Sequence, residues 1–211
     1  MRIAVIGAAG MAGSRVVTEA ANRGHAVLAV YRSSRPDVLP PGVTAAEGDA
    51  DDTAAMSALF DGVDAVVAAT RPPVGREHTI AATTTALLDA AAKTGSRVLV
   101  IGGAGPLEVP GHPGRRVVDD PAYVPPQWRT VAAASSAQLA ACRAHPSADW
   151  TYLSPPAVLE PGDRTGAYRW GTTTLLTTED GASRISAEDL AAAVLDELEV
   201  PGGERHLTVG Y

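Results

Sequence analysis

Apolar residues recur along this chain in two rhythms. Short, nearly uninterrupted apolar runs stand at residues 3–6 (Ile-Ala-Val-Ile), 26–31 (Ala-Val-Leu-Ala-Val-Tyr), 64–69 and 97–101, with a weaker one at 43–47. Between them lie stretches with apolar residues at helical spacing, 11–23, 53–60 and 77–94, the last closing on Gly95. A strand that is apolar at every position has both faces buried, and strands alternating with helices pair in parallel through right-handed crossovers. The pattern predicts an α/β fold: a Rossmann-like, doubly wound parallel sheet with helices on both faces. The second half is less regular. Residues 102–126 are rich in Gly and Pro and read as an ordered site loop. A helix is expected over 129–145, a strand over 150–153, a loop over 154–170 and a short strand over 172–178. A helix over 185–199 follows, with Ser186 as its N-cap and Glu188-Asp189 in its first turn, and then a strand over 206–209. The reading is one domain, 1–211, whose last part, about 154–211, forms a small C-terminal lobe on the substrate side.

Composition narrows this picture. Aromatics make up 4% of 211 residues, so the core is built from Ala, Val, Leu and Ile. A net charge of −7 argues against a nucleic-acid partner. The lone Cys142 excludes an internal disulfide and a Cys-based metal site, and no His/Asp/Glu cluster has metal-ligand spacing. No apolar run reaches the roughly 18 residues that span a bilayer. The first residues read as a strand rather than a secretory leader. The expectation is a cytoplasmic monomer or homodimer with a small-molecule partner and no membrane.

Chemistry enters at the first turn. Gly7-Ala8-Ala9-Gly10-Met11-Ala12-Gly13 joins the first strand to the first helix. Gly7 permits the turn, Gly10 lets backbone approach a diphosphate, and Gly13 lets helix and sheet pack closely. The helix N-terminus offers free N–H groups and partial positive charge to the phosphates. A ribose-reading residue belongs at the end of the second strand. An acidic one would favour NAD(H), but the sequence there is Tyr31-Arg32-Ser33-Ser34-Arg35. Guanidiniums at 32 and 35 beside hydroxyls suit a 2′-phosphate, so NADP(H) is the expected cofactor, with NAD(H) as the alternative. Asp49 and Ala50 follow the third strand, where the adenine edge is read, while Asp51 or Asp52 can cap the next helix. Ala69 and Thr70 end the fourth strand with small side chains that let the cofactor cross, and Arg71 stands ready for a phosphate or a substrate acid.

With these elements in place the chain resembles the atypical short-chain dehydrogenase/reductases. Within them it is similar to NAD(P)H-binding proteins described as NADH–flavin reductases, with NmrA-like proteins as more distant relatives. Three further segments carry the resemblance beside the glycine string. They are Val98-Leu99-Val100-Ile101-Gly102-Gly103-Ala104-Gly105, Trp150-Thr151-Tyr152-Leu153-Ser154-Pro155-Pro156, and Arg184-Ile185-Ser186-Ala187-Glu188-Asp189-Leu190-Ala191. The resemblance implies that Gly102, Gly103 and Ala104, together with Ser154 and Pro155, border the nicotinamide.

The Tyr-x-x-x-Lys pair of alcohol-oxidising members is absent. The single lysine, Lys93, follows Asp89 by four residues, and Tyr123 is followed at that spacing by Gln127. Hydride transfer itself needs only geometry and a dry pocket. A flavin or quinone acceptor therefore fits, with FMN or FAD as substrate rather than bound cofactor and the fifth-strand glycines leaving room for a flat ring. His112, Tyr123 and Tyr168 are the candidate proton donors; His25, His145 and His206 are given no role. Two other readings stay open: a non-catalytic NADP(H) redox sensor, and a redox-neutral isomerase, dehydratase or cyclase using His112, Tyr123 or Tyr168 as acid or base.

Overall fold

The computed structural model describes residues 1–33 and 35–211. In chain order the first half contains β1 (Arg2–Ile6), α1 (Met11–Asn22), β2 (Ala26–Tyr31), β3 (Val43–Glu47), α2 (Thr53–Phe60), β4 (Ala65–Ala68), α3 (Ile80–Thr94) and β5 (Arg97–Ile101). The second half adds a hairpin of β6 (Glu108–Val109) and β7 (His112–Arg116), then α4 (Arg129–Ala144), β8 (Trp150–Ser154), β9 (Val158–Glu160) and β10 (Arg169–Gly171). It ends with β11 (Arg184–Ser186), α5 (Ala187–Glu199) and β12 (His206–Gly210).

Eight strands form one sheet in the order β10-β12-β8-β5-β4-β1-β2-β3, parallel except where β10 runs against β12. Ile3, Val5, Val66, Val67 and Val98 are wholly buried, as strands covered on both faces must be. One face carries α1 and α5, whose Val16, Val17 and Ala20 join Leu190, Val194 and Leu195 in a single cluster. The other carries α2, α3 and α4, with Met56, Phe60, Leu87 and Leu139 at its centre. From β1 the chain passes through α1 to β2 on one side, and later returns to β4 on the other. Strand order reverses there, which opens a crevice above the C-terminal ends of β1 and β4.

Capping chemistry sets several boundaries. Asp52 accepts from the N–H groups of Ala54 and Ala55, both at 3.0 Å, and so starts α2. Ser186 accepts from Asp189 N at 2.9 Å, with Glu188 and Asp189 in the first turn of α5. Gly95, left-handed at φ 73, ends α3.

Four expectations are refined. The helix expected from residue 77 begins as a 3-10 turn, Glu77–Thr79, and becomes α-helical at Ile80. The 102–126 loop contains the β6–β7 hairpin, with a small core of its own: Leu107, Val109, Val117, Val124 and Leu175. The strand expected over 172–178 is absent; only Thr174 makes an isolated bridge, to Glu108. Its threonines favour extended backbone, but the pairing stops at Glu108 of β6, with Glu108 N donating to Thr173 O at 2.8 Å and Leu175 N to Glu108 O at 2.9 Å. Residues 154–211 share the main core, adding α5, β12 and β10 to the central layers, with only the β9–β11 pair outside the sheet. Among the described residues no helix is long and apolar enough to cross a membrane.

Candidate functional site

Gly7 and Gly13 of the glycine string make the tight turn and the close packing that their positions imply. Gly7 sits at φ +82, and a Cβ there would lie 2.5 Å from the carbonyl oxygen of Ala69. A Cβ on Gly13 would lie 2.2 Å from the oxygen of Gly7, so the first turn of α1 can be this close to the loop only without a side chain. Gly10 is the N-cap of α1. Whereas α2 and α5 are capped by their own side chains, this helix has no side-chain cap and no acidic residue in its first turn. Its N-terminal partial charge and N–H groups are left for a ligand.

A groove of about 630 Å³ opens beside this turn. Gly7, Ala9 and Gly10 form its floor; Arg32 and Ser33 border it after β2, Asp49, Ala50 and Asp51 after β3, and Ala69, Thr70 and Arg71 after β4. These sequence-derived residues, scattered over the first 71 positions, are thus brought together. Met11 and Ala12 stand in the first turn of α1 without lining the groove, and Gly13 is buried beneath it. Arg35 is exposed outside the lining, and its charge partly offsets the upward push of burial on the Tyr31 hydroxyl. Ser34, also part of the expected 2′-phosphate site, lies outside the described residues.

Charge in the groove is unspent. Arg23, Arg97 and Arg164 elsewhere are tied into ion pairs. Among the described residues, the guanidinium groups of Arg32, Arg71 and Arg76 have no hydrogen-bond or ion-pair partner, and all three residues line the groove. Thr70 Oγ1 is buried there without a partner. An uncapped helix, unpaired cations and an orphaned hydroxyl in one groove fit an anionic, hydrogen-bonding ligand such as a dinucleotide diphosphate.

Sequence reasoning missed Arg76, Thr79, Ile80 and Thr83, which complete the lining where α3 begins. Thr83 donates to Asp51 at 2.5 Å, joining α3 to the loop after β3. The open choice among the aspartates is resolved: Asp52 is the helix cap, while Asp49 accepts from Asp51 N at 3.1 Å and faces the groove.

The other side of the crevice differs from expectation. None of Gly102, Gly103, Ala104, Ser154 and Pro155 lines the groove. The glycines after β5 lie close against other parts of the protein. A Cβ on Gly102 would lie 2.0 Å from the Tyr152 ring, and one on Gly105 would lie 2.2 Å from Ala132 O on α4. Tyr152 is buried and donates to Ser135 O at 2.9 Å; burial pushes its hydroxyl pKa far up. Ser154 and Pro155 are both buried, and the serine Oγ lies 3.0 Å from His206 Nε2 instead of reaching solvent.

The three candidate proton donors are not gathered at the groove either. His112 is exposed on the β6–β7 hairpin, with Nδ1 3.0 Å from Pro110 O. Tyr123 packs against the hairpin core. Tyr168 belongs to a strap, residues 161–168, across the outer side of α1 and α5. Within it, Gly162 N donates to Glu188, Arg164 grips Glu19 at 2.7 and 2.8 Å, and Gly166 N donates to Asp189. The Tyr168 hydroxyl donates to Asp196 on α5, and burial together with that carboxylate raises its pKa. Tyr123 and Tyr168 are committed to local packing that their loop positions alone did not reveal, whereas His112 faces solvent.

Comparison with known proteins agrees with this geometry. A family model described as NAD(P)H-binding matches residues 7–201. Protein YwnB of Bacillus subtilis (strain 168) is 36% identical over 203 residues, covering 95% of this chain and 93% of its own. A candidate epimerase from Bacteroides thetaiotaomicron superposes with a TM-score of 0.90 at 34% identity, covering 100% of this chain and 96% of its own. A candidate NADH-flavin reductase from Streptococcus pneumoniae TIGR4 does so with 0.87 at 29% identity, covering 100% and 99%.

Proposed function

The chain belongs to the NAD(P)H-binding family, with a nicotinamide cofactor and an oxidoreductase-type role, and from that premise we propose that it is an NADPH-dependent reductase of flavins, quinones or similar conjugated acceptors. The observation that carries the reading is the unpaired Arg32 at the end of β2, on the groove, where a cofactor without a 2′-phosphate is usually met by a carboxylate. The bound cofactor would supply hydride to the acceptor.

The chain's residues supply the holding. The N–H groups at the start of α1 and the backbone of Gly7 and Gly10 cradle the diphosphate. Thr70 Oγ1 donates to a ribose or phosphate oxygen and so loses its orphan status. Arg32, supported by Arg35 and Ser33, binds the 2′-phosphate through paired charge-assisted hydrogen bonds. Asp49 and the backbone of Ala50 read the adenine edge. The name of the Streptococcus relative supports the acceptor class, and so does the absence of a Tyr-x-x-x-Lys pair, since a flavin or quinone takes its proton without one.

Steady-state oxidation of NADPH with a panel of flavins and quinones tests the proposal. Turnover faster with NADPH than with NADH is the expected result. No turnover with any acceptor, by protein that binds NADPH, would leave a redox sensor as the better account.

A further inference from the structure

The end of β2 carries one more polar group beside the groove. Tyr31, the last residue of that strand, is 5% exposed and lines the groove. Side chains alternate along a strand, so Val30 joins the cluster of Met56 and Phe60, while Tyr31 joins the α1 cluster with Ala8, Val16 and Val17. The strand end is pinned from two directions. Ala8 N donates to Val30 O at 3.4 Å, and Gly48 N donates to Tyr31 O at 2.9 Å. A rigid strand thus delivers the phenol beside the glycine loop.

A buried tyrosine ordinarily finds a partner for its hydroxyl. Tyr152, Tyr168 and Tyr211 do so, with Ser135 O, Asp196 and Asp189. The Tyr31 hydroxyl has none among the described residues, and the charge that acts on it is the guanidinium of Arg35. Burial raises its pKa, so it keeps its proton at neutral pH and can donate. The groups that follow, Arg32, Ser33 and Arg35, are exposed. Long exposed guanidiniums lose rotamer freedom when they close on an anion. The Tyr31 ring is already held by the core, so its hydroxyl is preorganised.

Resting on the NADPH reading above, we infer that Tyr31 is a specificity-determining residue of the 2′-phosphate site, its hydroxyl donating to a phosphate oxygen alongside the guanidiniums of Arg32 and Arg35. The adenosine ribose meets the end of the second strand in this fold, which is where the phenol stands. Arg32 and Arg35 supply charge. Tyr31 supplies a fixed donor that sets where the phosphate rests. A phosphate oxygen is a charged acceptor, and a hydrogen bond to it is stronger than one to a neutral group. The 2′-hydroxyl of NADH is neutral, so NADH gains much less from the same phenol.

Titration calorimetry of wild type and Tyr31→Phe with 2′,5′-ADP and 5′-AMP, which differ only in the 2′-phosphate, tests this. The variant keeps the buried ring and loses only its oxygen. The preference for 2′,5′-ADP over 5′-AMP falls about tenfold, the worth of one hydrogen bond to a charged group, while the Kd for 5′-AMP stays within about twofold. An unchanged preference overturns the inference. Equal weakening of both nucleotides overturns it too, since that is a packing effect alone. Wild-type protein supplies a check that is independent of how the variant folds. Adding 2′,5′-ADP moves the tyrosine ultraviolet band to longer wavelength, as a phenol donating to an anion does, and 5′-AMP leaves it in place; no shift with 2′,5′-ADP overturns the inference. Wild-type protein that binds 2′,5′-ADP no tighter than 5′-AMP would instead overturn the NADPH reading.

Discussion

The two sides of the crevice above β1 are built on opposite plans. On the β3–β2–β1–β4 side the loops leave an open groove whose helix terminus, three guanidiniums and one hydroxyl are, among the described residues, unspent. On the β5–β8–β12 side the polar groups have turned to one another. Tyr152 bonds to Ser135 O, Ser154 faces His206, and Thr208 Oγ1 donates to Ser154 O. A dinucleotide contributes strong charges that a preformed cradle can meet without rearrangement. One sheet thus carries a half with unspent polar groups beside an open groove and a half whose polar groups face one another.

The largest effect expected from breaking this division comes at Gly13. A Cβ there would press on Gly7 O at 2.2 Å, so Gly13→Val removes dinucleotide binding by displacing α1 from the loop. It also lowers stability by about 1–3 kcal/mol, the usual cost of overpacking. Calorimetry and thermal unfolding read the two losses. Next is Arg32→Ala, which weakens NADPH by roughly 10- to 100-fold, the worth of one or two hydrogen bonds to a charged group, and NADH by less than about twofold. Equal losses for both would remove Arg32 as the 2′-phosphate reader.

The β5–β8–β12 side is sharpened by pH. His206 is held near 4 in the fold against 6.5 as its ordinary value. Between those values the unfolded chain binds a proton that the folded protein refuses. Stability therefore rises as pH increases from 4 to 6.5, and this contribution is complete above 6.5. Urea titrations of wild type and His206→Asn across that window should show a smaller slope for the variant; identical slopes would mean that the imidazole is not buried and neutral. The smallest effect is at Asp52→Ala, which removes the cap of α2 and costs about 1 kcal/mol. NADPH affinity then stays within about twofold, because Asp49, not Asp52, faces the groove.

What the chain discloses by itself follows the range of the forces involved. β1, β2 and β5 are apolar runs buried on both faces, and α5 announces itself through Ser186 and the acids of its first turn, so local pattern and tertiary role coincide. The β9–β11 pair and the β6–β7 hairpin carry no apolar run longer than two residues, β7 being His-Pro-Gly-Arg-Arg, so no pattern marks them as strands. In the groove, Arg32, Asp49 and Thr70 were legible because strand ends fix their position. Arg76 and Thr83 were not, since the turn through Pro72, Pro73 and Gly75 decides which way the start of α3 faces. Gly102 was legible as a glycine, but its closeness to the Tyr152 ring was not, because Tyr152 lies 50 residues further along the chain. His206 has no motif at all, and its meaning arises from a serine 52 positions away on the next strand.

The account stands most directly on titration calorimetry of the wild-type protein with NADPH, NADH and 2′,5′-ADP. It predicts that NADPH binds at least about tenfold tighter than NADH and that 2′,5′-ADP competes for the same groove, as charge-assisted contacts to an extra phosphate require. Equal affinity for NADPH and NADH, or no binding of either by folded protein, would contradict it.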